Sequence, residues 1–123
     1  MIDVDESTRG FAVLCDAEGT VLQVVHDDLG VADRVAPGRT VLTLVDASCA
    51  EKACRFLEEL RRDGVAYDWE LNVPVRGRIR IIHVNATADD GRLLVIGATS
   101  RSGVARFHDE LMRMNNEHLN ALR

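Results

Sequence analysis

The strongest constraint on the fold lies in residues 65–73, where Val65, Tyr67, Trp69, Leu71 and Val73 alternate with Ala66, Asp68, Glu70 and Asn72. Successive side chains of a strand point to opposite faces, so this period of two predicts a strand with one face on a core. Pro74 is expected to end it. Ile79–Ala88 reads as a second long strand, and Asp89-Asp90-Gly91 supplies a hairpin turn. Leu93–Ala98 is almost continuously apolar, which places it centrally in the sheet and buried on both faces. Near the N-terminus, Phe11–Cys15 and Thr20–Val25 flank Asp16-Ala17-Glu18-Gly19, a turn in which Gly19 can take positive φ. Five strands joined largely by short turns form an antiparallel sheet.

Helical signals occupy the remaining chain. Residues 26–39 mix Asp, Gly and Pro with small apolar residues, which predicts one or two short helical turns. Val41–Val45 leads into a marked helix: Ser48 and Glu51 have capping-box spacing, Cys49, Ala53, Phe56, Leu57 and Leu60 make one apolar face, and Gly64 stops it. Ser100 or Ser102 can cap a last helix reaching Arg123. The fold class is α+β: a five-stranded antiparallel sheet with helices on one face, plus a C-terminal coiled-coil-type helix. The chain divides into a lead-in at 1–9, a domain at 10–100 and a helix at 101–123.

Composition then excludes function classes. A chain of 123 residues, 46% hydrophobic, can bury a core without metals or disulfides. The net charge of −5 repels phosphate backbones, so no nucleic acid is expected as partner. Arg76, Arg78 and Arg80 read as one solvated strand face. No apolar run approaches the roughly 20 residues that cross a bilayer, and the acidic N-terminus is no signal peptide. No membrane association is expected. Three cysteines fit reduced thiols in the cytoplasm. No nucleophile elbow, phosphate loop or metal-ligand spacing occurs, so no catalytic residue and no metal ligand is assigned. The four histidines, His26, His83, His108 and His118, stand apart from one another.

The order of elements resembles the PAS domain, a sensory module of bacterial histidine kinases and other signalling proteins. The likeness rests on Phe11 to His26 with Asp16 and Gly19 at the turn, on Leu44-Val45-Asp46 before the main helix, and on the three strands from Gly64 to Gly97. It covers residues 10–100. Where the family often carries Asp-Ile-Thr after its last strand, this chain reads Ala98-Thr99-Ser100-Arg101. Cys54-Arg55-Phe56-Leu57 is similar to the flavin-reactive motif of LOV domains. Here, though, Ala53 and Glu58 replace its Asn and Gln, and the tetrapeptide sits inside the capped helix.

The resemblance implies a cytoplasmic, non-catalytic sensor that relays a signal to an output domain C-terminal in the same chain, foremost a histidine kinase of a two-component system. If the core holds a ligand pocket, Val13, Leu44, Phe56, Trp69, Ile81, His83 and Ile96 are its expected walls; with only five Phe, Trp and Tyr residues a filled core is equally expected, which leaves dimerisation as the domain's whole job. The small-molecule ligand is unknown and no cofactor is expected. The C-terminal helix offers two seams, Phe107, Leu111, Met114 and His118, and Met112, Asn115, Leu119 and Leu122, which predict pairing in a homodimer. That pattern reaches Arg123 without a capping signal, so further chain is expected beyond it. The alternatives are a flavin- or haem-binding light or redox sensor, and a small-molecule enzyme of α+β cone fold.

Overall fold

A computed structural model describes residues 9–122, with side chains through Arg113. Five strands, β1 (Gly10–Asp16), β2 (Val21–Asp27), β3 (Val65–Val75), β4 (Arg78–Asp89) and β5 (Arg92–Ala98), form one antiparallel sheet in the order β2-β1-β5-β4-β3. Two helices, α1 (Ala50–Asp63) and α2 (Arg101–Leu122), complete the chain, with short 3₁₀ turns at Val41–Leu44 and Ala47–Cys49. β5 lies in the middle. That position explains its unbroken apolar run, because side chains on both of its faces are buried.

The inner face of the sheet carries the main core. Phe11, Val13, Leu71, Val73, Ile82, Val84 and Val95 pack against Phe56, Leu57 and Leu60 of α1. Leu29, Val31 and Val35 from the loop after β2 close the same core. This loop holds only hydrogen-bonded turns, such as Arg34 N–H to the Val31 carbonyl at 2.9 Å, in place of the expected helical turns. The outer face carries a smaller cluster of Ala12, Ile96 and Ala98 beneath Val104 of α2, flanked by Leu94, Phe107 and Leu111. α2 therefore starts on the face opposite α1.

Three local expectations are corrected. The alternation of residues 65–73 breaks at a bulge between Ala66 and Trp69: Ala66 turns inward, Asp68 takes φ +62°, and Tyr67 is left outside at 48% exposed. Asn85 stabilises the bulge, its side-chain oxygen accepting from the Asp68 N–H at 2.9 Å. Pro74 does not end β3, which continues to Val75; β3 is an edge strand, where a missing N–H costs no ladder bond. The turn that ends it is Arg76-Gly77, both at positive φ, matching Asp90-Gly91 at the next hairpin.

The third correction concerns the start of α1. Ser48 and Glu51 form no capping box; Asp46, one turn earlier, accepts from the Ser48 N–H at 3.1 Å and from the Ser48 hydroxyl. These bonds hold the Asp46 carboxyl below its ordinary pKa. Gly64, at φ +79°, closes the helix by donating to the Leu60 carbonyl.

Candidate functional site

The site begins from how the inner core is held. The 3₁₀ turn Val41–Leu44 is pinned from outside: the Arg34 guanidinium donates to the carbonyls of Leu44 and Val45 at 3.2 and 3.4 Å, and the Thr43 hydroxyl bonds to the Arg34 carbonyl. Beneath this turn lies a cavity of about 10 Å³, lined by Val41, Leu42, Leu44 and Val45, by Ala53, Phe56 and Leu57 of α1, by Leu71 of β3 and by Val95 of β5. Its lining is apolar throughout. A void of this size is near the lower limit for one water molecule, far below the ~300 Å³ of a small ligand pocket. The core is filled.

Leu44 and Phe56 line the cavity. Val13 is fully buried in the same core. Trp69 is half-buried at its margin, edge-on to Phe56 with ring centroids 5.5 Å apart, and its indole N–H donates to Glu59 at 2.8 Å. The other expected walls are elsewhere. Inward positions on β4 are Ile82, Val84 and Ala86, so Ile81 and His83 point to the outer face, Ile81 at 57% exposed. Ile96 belongs to the outer cluster under α2. Strand parity decides all three: Ile81-Ile82 and Val95-Ile96 are apolar neighbours, and the sequence does not say which of each pair faces inward.

No reactive group borders the cavity. Cys49 is buried near it, its sulfur accepting from the Asn72 N–H at 3.4 Å. Burial, reinforced by the charge of Asp16, pushes the Cys15 thiol up to about 12, which keeps it protonated and unreactive. Cys54 is exposed on the solvent side of α1. Among the described residues, no three His, Cys, Asp or Glu side chains are placed to hold a metal ion, and no helix is long and apolar enough to cross a membrane.

On the outer face, α2 is fixed to the domain without the aspartate that the resemblance leads one to look for. Thr99 donates its N–H to the Arg9 carbonyl at 2.9 Å and accepts the Arg9 N–H on its hydroxyl at 3.2 Å. Ser100 caps α2, accepting from the Gly103 N–H at 3.0 Å. Arg101 lies 3.7 Å from Asp68 in the bulge. His108 is buried against Tyr67, ring centroids 5.4 Å apart. Phe107, Leu111 and Met112 are each half-buried, and the side chains of Met114, Asn115, His118, Leu119 and Leu122 lie outside the described set.

One residue without a sequence-based assignment organises the loop under the core. Asp27 accepts four backbone N–H groups, from Leu29, Gly30, Val31 and Ala32, at 2.8 to 3.0 Å. An aspartate directly before a Gly-containing loop signals such a turn, but not that one carboxylate gathers four donors.

No protein-family model matches the sequence, nor does any curated protein. The structure is similar to the PAS domain of the RpfR quorum-sensing receptor of Cronobacter turicensis. In its complex with BDSF, that domain is 19% identical, with a TM-score of 0.59 over 72% of this chain and 91% of that one. In its complex with C12:0, the identity is 18% with the same TM-score and coverage. At such identity the likeness is one of fold. A β2-β1-β5-β4-β3 antiparallel sheet with α1 across its inner face is the fold of a PAS domain.

Proposed function

We infer that the chain is a cytoplasmic PAS-type sensory module, itself non-catalytic, that pairs through α2 and relays a signal to a C-terminal output domain, a histidine kinase being the output its resemblance implies. One observation carries this reading. Val95 lines the inner cavity, and its neighbour Ile96 carries α2 on the outer face. Whatever displaces Val95 moves the strand that α2 stands on.

The similar RpfR domain is described in complex with BDSF and with C12:0, and the apolar lining here favours a small, largely apolar signal. A cavity of about 10 Å³ admits none without rearrangement, so binding would select a minor conformation in which the Val41–Leu44 turn lifts from Leu71 and Val95. Affinity would be reduced by the population of that state.

The test is an NMR titration of the chain with C12:0 and shorter acyl acids, with light scattering for mass. The expected outcome is a dimer whose Leu44, Phe56, Leu71, Val95 and Val104 signals shift together. A monomer whose core signals do not move at saturating ligand would overturn the reading.

A further inference from the structure

β4 outlasts its neighbour. β5 ends at Ala98, opposite His83, where the chain turns off into α2, while β4 runs on outward to Arg78. Over Arg78–Ile82, β4 is paired only with β3, and among the described residues no backbone hydrogen bond reaches its other side. Ile79 and Ile81 lie there on the outer face at 58% and 57% exposed, and Arg78 and Arg80 stand exposed on the inner side. An open strand edge with apolar side chains invites another strand.

Three observations choose the occupant. The first is charge: a two-fold pairing with a second copy through this edge would set Arg78 and Arg80 against their own counterparts, which like-charge repulsion opposes. The second is position. Gly10 pairs with Ala98, which pairs with His83, so β1 begins level with the end of β5. Arg9, clamped to Thr99, stands at the mouth of the lane beyond the end of β5, which no strand fills among the described residues. β1 and β4 run in the same direction, and eight residues reach roughly 26 Å against about 16 Å for Arg78–Ile82.

The third is pattern. The chain opens Ile2-Asp3-Val4-Asp5, apolar and acidic in alternation, and the edge reads Arg78-Ile79-Arg80-Ile81, basic and apolar in alternation. Aligned as parallel strands, Ile2 and Val4 fall on the face of Ile79 and Ile81, and Asp3 and Asp5 fall on the face of Arg78 and Arg80. We propose that this edge is a docking site for the chain's own N-terminal segment, residues 2–5, added as a sixth strand beside β4.

Amide hydrogen exchange on the full chain tests it, comparing wild type with the D3R/D5R double variant, which changes no residue of the sheet. The expected result is that alternate amides within Arg78–Ile82 lose about tenfold protection in D3R/D5R and regain it when R78D/R80D is added. The protection should also be independent of protein concentration. Equal exchange in wild type and D3R/D5R overturns the proposal, as does protection that fades on dilution, since that assigns the edge to a strand from another molecule. If R78D/R80D fails to fold, the comparison of wild type with D3R/D5R decides alone.

Discussion

Asp27 shows how much one short side chain can hold. Its two oxygens satisfy four N–H groups of the loop that carries Leu29, Val31 and Val35 into the core. Asp27→Ala leaves those donors to water and frees the loop. The expected loss is about 1–3 kcal/mol of unfolding free energy, read by urea denaturation. Gly97 marks the opposite constraint, one of space. A Cβ there would collide with the Phe11 ring and come within 3.0 Å of Ile82. Gly97→Ala should therefore cost about 1–3 kcal/mol by overpacking, while Gly38→Ala, with nothing near the added atom, meets only the backbone penalty of its φ of +94°. A variant G97A as stable as wild type would show that Phe11 can move.

At the scale of elements, the junction between α2 and the sheet is the informative one. His108 lies on the buried side of α2, its Nδ1 without a hydrogen-bond partner among the described residues, and burial holds its pKa below the ordinary imidazole value, opposed by Asp109. The sign follows from proton counting. Between the lowered folded value and the unfolded value of about 6.5, the unfolded chain holds more protons, so stability rises with pH through that window and falls on acidification. Titrating stability from pH 7.5 downward should show a decline beginning near pH 6.5 that is shallower in His108→Phe. An identical slope in the two proteins would place the titrating group elsewhere. The same junction explains what the residues 65–73 pattern concealed: the bulge turns Tyr67 out to meet His108, so the residue that breaks the alternation is a docking contact for α2.

For the whole molecule, the filled inner core sets the cost of any signal. Leu71→Ala would enlarge the cavity beside Phe56 and Val95, at about 2–5 kcal/mol of stability. The enlarged void should take up a small apolar probe such as benzene, detected as a rise in melting temperature with ligand concentration. No rise would mean that the Val41–Leu44 turn collapses into the space. Much of this architecture is written locally. The hairpin turns at Gly19 and Asp90-Gly91, the αL stop at Gly64, the apolar face of α1 and the doubly buried β5 all depend on near neighbours in the chain, because backbone preference and side-chain period act over a few residues. The facing of Ile81, His83 and Ile96, the four bonds of Asp27, the closure of the cavity and the seat of α2 on the outer face are different. They depend on register and on groups brought together from distant positions, and a one-residue shift at the Ala66–Trp69 bulge exchanges one face for the other. Local preference thus sets the five strands and the two long helices, though not the turns of residues 28–39 or the end of β3, whereas contacts between distant segments set which side chains face the cavity and which face α2.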